Sequence, residues 1–393
     1  MISKIPIIDS PLGCRDIAYA LSRMCGKDAL DDFSAAMAGF IQKKHVYFIN
    51  SGISAFYIIL KVLQENSNKS QVVLPAYTAG SLVTAVLKAG LKPVLCDIRF
   101  KDFNSDIDDL LRVVTKDTLA VVCVHMFGIG VPEIVDLRQK LPADVFLIED
   151  CAQSMGSKIA KRQVGGFGDV SFFSFNRGKN LPTYKGGCIA TDSENLTGQL
   201  SRQIGLLPRQ GAFSQCLLPF KTMAISLAVK PFVYGLCYEL ISQFKENSPP
   251  GDILLGEFTN FQASLGVSLL RKMGSLFKKR YLHGQMILQR LKDHPGIIVP
   301  QIPINSEPAF NRLPVVFENI KRKEEIEEKL LAAGIETSRM YLKPLHHIFD
   351  LGYKSENFPI AVHFAEHLLT LPVHPSIEEE DLNRMVEIIK NSI

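Results

Sequence analysis

The sequence has no excess of either charge: 44 lysines and arginines against 40 acids leave a formal net charge of +4 on 393 residues. So small a surplus gives no broad electrostatic footprint for nucleic acid, and no nucleic-acid partner is expected. The two basic runs, Lys278-Lys279-Arg280 and Lys321-Arg322-Lys323, fall in helix-like contexts and read as solvated helix faces. The chain also lacks a Cys-x-x-Cys pair. Its eight cysteines (Cys14, Cys25, Cys96, Cys123, Cys151, Cys188, Cys216 and Cys237) are scattered, which argues against a zinc site and a disulfide framework. No metal is expected, and the thiols read as reduced and mostly buried. No apolar core follows Lys4, so a secretory signal is not expected and a cytoplasmic address follows.

An uninterrupted apolar run of membrane-spanning length is missing too. Cys216–Tyr238 is rich in Leu, Val, Phe and Met, but Pro219, Lys221, Lys230 and Pro231 cut it. A spanning helix needs about twenty mostly apolar residues. The segment therefore reads as buried or dimer-facing helices, with peripheral contact to a membrane surface as the alternative. His363-Phe364-Ala365-Glu366-His367 fits H-x-x-E-H, a zinc peptidase spelling that so short a match produces easily by chance.

What is present is an alternation. Strands are expected at Val46–Ile49, Val72–Leu74, Pro93–Cys96, Leu119–Val124 and Val145–Ile148. Helices are expected between them, at Ile53–Gln64, Ser81–Ala89, Ile107–Val114 and Pro132–Gln139. Nearly continuous apolar strands in βαβ order make a mainly parallel sheet with helices on both faces, so the fold class is α/β. Ligands of such sheets bind outside the carboxyl ends of the strands. After Asp192 the sequence turns helix-rich, and Ser248-Pro249-Pro250-Gly251 marks a boundary. The chain thus divides into an N-terminal arm (1–25), a large domain (26–250), and a long helix with a smaller α+β domain (251–393). That helix is expected through Gln262–Leu288. The remainder carries a strand at Pro314–Phe317, a helix at Lys323–Ala333 ended by Gly334, and closing helices at Ile360–Leu369 and Glu378–Ile389.

Three segments carry chemistry. Asp150 ends the apolar strand Val145–Glu149; an acid there points into the ligand crevice, whereas one inside the strand would be buried at large cost. Asp169–Leu181 brings a buried strand into a tight loop that delivers Ser174 and Lys179 together. Desolvation lowers a lysine's pKa and makes its amine nucleophilic, as Schiff-base chemistry needs. In Asn50-Ser51-Gly52-Ile53-Ser54-Ala55 a strand turns sharply into a helix, whose free amides and dipole suit an anion. Taken singly, each has a plainer reading: a solvated strand-end acid, a surface lysine, an ordinary N-cap.

Taken together, the three segments resemble the DegT/DnrJ/StrS family of sugar aminotransferases. These have the pyridoxal 5′-phosphate (PLP)-dependent fold of the aspartate aminotransferase type, fold type I. The likeness runs over Asn50–Phe56, Val73–Thr78 with Ala89–Asp97, Val124–Gly128, Ile148–Gly156, Gly168–Thr191, and Gly334–His346 through Leu371–Pro372. It implies that Lys179 holds PLP as a Schiff base and shuttles the proton between Cα and C4′. Asp150 would pair with the pyridinium nitrogen, and Gln153 would lie against the ring or its hydroxyl. Ser174 and the amides of Gly52, Ile53 and Ser54 would hold the phosphate, while Tyr341 and His346 would face the sugar. The resemblance further implies L-glutamate as donor, a nucleotide-linked keto-sugar as acceptor, a role in polysaccharide or glycoconjugate biosynthesis, and a homodimer.

The sequence departs from the family at four places. Ala79 stands where an aromatic residue stacks on the cofactor, leaving Tyr77 as the nearest ring. Ile53 replaces the usual Thr, with Ser54 beside it to restore a hydroxyl. Tyr184-Lys185 replaces Gly-Glu before the double glycine, and Leu255-Gly256-Glu257 replaces the Asn-x-Arg presented by the neighbouring subunit. Two rival readings follow. A PLP-dependent sugar dehydratase would carry histidine at the Schiff-base position, which Lys179 contradicts; a regulatory or scaffolding protein of a polysaccharide pathway would fit the departures and the apolar segment.

Overall fold

Strands that are apolar at successive positions leave no face for solvent, so the sheet they form has to be covered twice. The computed structural model describes residues 3–26, 28–239 and 252–393; the Ser248–Gly251 boundary cluster lies outside them. The first half contributes β1 (His45–Ile49), β2 (Gln71–Pro75), β3 (Lys92–Cys96), β4 (Thr118–Val124) and β5 (Phe146–Asp150). The short β6 (Lys158–Ile159) and β7 (Arg162–Gln163) precede β8 (Val170–Ser174) and β9 (Gly187–Thr191). Seven of these form one sheet in the order β1-β9-β8-β5-β4-β2-β3. The run from β3 to β8 is parallel, and β9 enters antiparallel between β8 and β1.

Alternate side chains of one strand serve two cores. Val72 and Leu74 of β2, with Val122 and Val124 of β4, meet the helices Gly52–Gln64, Gly80–Lys88 and Glu194–Gly205. Val73, Val121 and Cys123 face the opposite way, onto Cys14–Ser22, Ala29–Ile41 and Asn260–Leu270. A third core fills a smaller α+β region. There β10 (Ile297–Ile298), β12 (Leu313–Phe317) and β13 (Leu368–Leu371) pair in that order, β11 (Ser306–Glu307) joining β6 and β7 instead, and the helices Met273–Leu291, Ile320–Ala332 and Glu379–Lys390 pack on the sheet.

Several expectations are corrected. The long helix through Gln262–Leu288 is two helices broken at Arg271-Lys272. Lys272 Nζ is tied to Pro11 O and the Asp16 carboxylate, which holds the chain in a turn there. The helix at Ile360 stops at His367, because Leu368–Leu371 pairs with β12 and pairing overrides leucine's helix preference. The basic runs are not wholly solvated: Arg280 is buried against the carbonyls of Phe310 and Asn311, and Lys323 reaches Glu366 O. Only four of the eight thiols are buried; Cys14, Cys25, Cys216 and Cys237 are exposed.

The apolar segment lies on two helices, Ala212–Ala228 and Pro231–Leu236, broken where Lys230 meets Pro231. Among the described residues no helix is long and apolar enough to cross a membrane. The helices turn Leu218, Thr222, Ser226 and Tyr234 inward, while Phe213 (78% exposed), Phe220 (65%) and Phe232 (62%) face out.

Candidate active site

The carboxyl ends of β1, β2, β5 and β8 converge on a cavity of about 440 Å³, the size range of small-ligand sites. Its wall includes Gly52, Ile53, Ala79, Asp150, Ala152, Gln153, Ser174, Lys179 and Tyr341. One side is built by the turn after β1. Ser51 caps the helix Gly52–Gln64 by accepting the Ser54 N–H at 3.1 Å, a bond of about 1 kcal/mol. Gly52 presses against β8: a Cβ there would lie 2.9 Å from Ser174 Cβ and 3.2 Å from Phe173 O. Only glycine lets this helix start meet the serine. Ser54 itself departs from expectation. Its amide is spent on the cap, its hydroxyl lies 2.7 Å from Ser51 Oγ and donates to Leu254 O at 3.2 Å, and it does not line the cavity.

Lys179 sits on a loop fixed from several sides. Its N–H donates to Asn176 O at 3.1 Å, and Gly178 takes φ +77° with Ile8 packed where a Cβ would stand. Asn180 Nδ2 donates to Met155 O (2.9 Å) and Ala309 O (2.6 Å), and Asn311 Nδ2 to Gly178 O (2.7 Å). Burial pulls the Lys179 amine down to about 8, against the opposing charge of Asp150. A few per cent or more of it is therefore uncharged at neutral pH.

Asp150 is buried at the end of β5, with Oδ1 accepting the Ala152 N–H at 2.8 Å. Burial pushes its carboxyl up; the Ala152 bond and the charges of Lys179 and His125 oppose this. The residue before it, Glu149, is a buried acid inside the strand. Its cost is met by the amides of Gly165 (2.7 Å), Phe167 (2.6 Å) and Gly168 (2.5 Å) and by His125 Nε2 at 3.1 Å. Burial alone would raise Glu149, but these bonds outweigh it and hold the carboxyl below its ordinary value. Val131 N–H donates to His125 Nδ1 at 3.1 Å, so Nε2 carries the proton given to Glu149. His125 N–H in turn donates to Asp150 O at 3.2 Å. Sequence reading missed this brace, since its partners are 24 residues apart and their contact is set by strand pairing.

Gln153 Oε1 accepts the Phe127 N–H at 3.2 Å, which turns its Nε2 towards Tyr341 Oη, also at 3.2 Å. Tyr77 cannot cover a ligand ring: it is fully buried, edge-on to Phe364 at 4.8 Å, and outside the cavity wall. Ala79 and Ala152 line the wall instead. His346 does not line it either. Leu345 N–H donates to Ala76 O, and the short turn that follows buries His346 beside His347 and Phe358, with Nε2 3.4 Å from Ser355 O. Next to the cavity-lining Lys185, Tyr184 takes φ 75°, a conformation glycine adopts freely and other residues at a cost of roughly 1–2 kcal/mol.

A lowered amine, a strand-end acid on the same wall and a helix start pressed onto a serine fit pyridoxal phosphate, the cofactor of the aminotransferase family whose model matches this chain. The chain belongs to the DegT/DnrJ/EryC1/StrS aminotransferase family, whose model matches residues 22–215 and 254–390. It is 25% identical over 372 residues to the spore coat polysaccharide biosynthesis protein SpsC of Bacillus subtilis, covering 93% of this chain and 89% of that one. It is 24% identical over 386 residues to the GDP-perosamine synthase of Vibrio cholerae, with coverages of 96% and 94%. Among solved structures, the Helicobacter pylori aminotransferase PseC matches with a TM-score of 0.78 at 20% identity, covering 99% of both chains.

Proposed function

We propose that this chain moves an amino group from L-glutamate to a nucleotide-linked keto-sugar in polysaccharide or glycoconjugate biosynthesis, as a cytoplasmic homodimer. The observation that carries the reading is the convergence of Lys179, Asp150, Gly52 and Ser174 on one cavity. Relatives named for GDP-, UDP- and dTDP-sugar chemistry support the acceptor class. Bound here, pyridoxal phosphate supplies an electron sink next to the carbon that gains or loses its proton. Lys179 Nζ would hold the group, and its amine, when uncharged, could accept the proton from the reacting carbon. The Asp150 carboxylate would face the ring nitrogen and favour its protonated form. Ser174 Oγ and the amides of Gly52 and Ile53 would take the phosphate, and Gln153, braced by Tyr341, would face the ring.

The test is to supply PLP and L-glutamate and screen UDP-, GDP- and dTDP-linked keto-sugars by mass spectrometry. At least one should be converted to the amino sugar. Conversion of simple keto acids alone would sink the acceptor class.

The homodimer belongs to the same proposal. Phe213, Phe220 and Phe232 are exposed on these helices, and burial at a two-fold interface would cover part of that apolar surface. A second reading is supported by charge: Gln210 to Tyr238 contains Lys221 and Lys230 and no acid, as suits peripheral contact with anionic lipid. Sedimentation without detergent, with and without liposomes, separates the two. A stable monomer that stays in the supernatant would contradict both.

A further inference from the structure

Residues that set this chain apart from its family meet at one place. A second hollow, of about 330 Å³, opens beside the cavity of Lys179, and Asn50 and Lys185 belong to the walls of both. Tyr184 and Lys185, which stand where the family has Gly-Glu, form one side of it. Leu255 and Gly256, from the segment that replaces Asn-x-Arg, form another. Leu218 and Lys221 also line it, and they lie between the two stretches that match the family model. Backbone contacts hold these walls together: Gln262 Nε2 donates to Lys185 O at 2.7 Å, and Asn50 N–H to Gly256 O at 3.1 Å. The helix Ala212–Ala228 keeps Lys221 in place by turning Leu218, Thr222 and Ser226 inward, Ser226 Oγ donating to Leu12 O at 3.2 Å. The hollow is rich in positive charge. Lys185, Arg209 and Lys221 all line it and all are exposed. Arg209 has Glu257 at 3.6 Å, but neither lysine has an ion-pair partner among the described residues. Two unmatched ammoniums and a guanidinium around one concavity concentrate anions there, and its volume is that of a small-ligand site.

We propose that this hollow binds the diphosphate of the nucleotide-linked acceptor, with Lys185 and Lys221 as its charged contacts. The proposal rests on the aminotransferase reading above and deepens it. The acceptor's keto carbon has to reach Lys179, so the sugar ring occupies the cavity and whatever is attached to the sugar leaves it. The exposed Lys185 stands where the cavity meets the hollow, and the diphosphate is the first group beyond the sugar. The carboxylates of L-glutamate stay within a few bonds of the reacting carbon and do not extend so far. Ammonium groups on long flexible stems suit a diphosphate, whose charge is spread over many oxygens. Acceptor binding thus depends on Lys221, a residue carried by the helix that the family model leaves unmatched.

The experiment titrates the parent holoenzyme, Lys185→Ala, Lys221→Ala and Lys221→Glu with UDP, GDP and dTDP, which carry no keto group to aminate. At least one should bind the parent, and pyrophosphate should compete with it. Each alanine variant should bind about tenfold more weakly, the low end for a hydrogen bond to a charged group because both ammoniums face solvent. Lys221→Glu should bind more weakly still, and all these differences should shrink as salt is added. In turnover the KM for the keto-sugar should rise by the same factor while the KM for L-glutamate holds. Both side chains are exposed, so the variants should melt with the parent. Failure of the parent to bind any of the three nucleotides, or parental affinity in both Lys221→Ala and Lys221→Glu, overturns the proposal. So does faster loss of PLP from Lys185→Ala and Lys221→Ala with nucleotide affinity unchanged, which would assign the charge to the cofactor's phosphate. If the chain attached no PLP the aminotransferase reading would fall on that result, while the nucleotide titration would still report on the hollow.

Discussion

Lys179→Gln is expected to fold, to bind no PLP covalently, and to lose transamination by roughly 10⁴-fold, the upper end of what one positioned acid–base group contributes. On the proposed reading the same side chain would serve as attachment point and proton carrier, so no neighbour would replace it. Because burial brings its amine down to about 8, the uncharged nucleophile dominates above that pH. The rate at which apoprotein captures PLP should therefore rise with pH through about 8 and then level. A rate still climbing near pH 10, where an ordinary lysine titrates, would show that the amine is not shifted. Activity of Lys179→Gln within tenfold of the parent would remove the residue from the mechanism.

Asp150→Asn is expected to retain PLP and lose roughly 10²–10⁴-fold in kcat, with KM for the amino donor nearly unchanged. An amide has the shape of the carboxylate and can keep the Ala152 bond, but it cannot hold a proton at the ring nitrogen. The loss therefore belongs to the chemical step and not to ground-state binding. Burial already works against the Asp150 charge, so the neutral substitute should not lower the melting temperature. Parental turnover in Asp150→Asn would make the acid a structural residue.

The sheet was legible because its strands are short apolar runs separated by turn residues: Val46–Ile49, Val72–Leu74 and Leu119–Val124 lie within β1, β2 and β4. Asp150, Ser174, Gly52 and Lys179 were assigned to one site through the family resemblance, and they meet because parallel strands bring their carboxyl ends to one edge. Features set by contacts distant in sequence could not be read. Leu368–Leu371 has a helix-forming composition and becomes a strand only because β12 offers it a partner. The break at Lys272 depends on Asp16 and Pro11, more than 250 residues earlier. Ser54 follows the helix start in sequence, yet the Ser51 cap claims its amide, and Leu345 N–H, by reaching Ala76 O, turns His346 into the protein. Glu149 looked too costly to bury until three amides and His125 met its oxygens.

The measurement that bears most directly on this account is borohydride reduction of the PLP-loaded protein, followed by peptide mapping. The account predicts a pyridoxyl group on the peptide carrying Lys179, and its loss in Lys179→Gln. A label on any other lysine, or no label on protein that binds PLP, would contradict it.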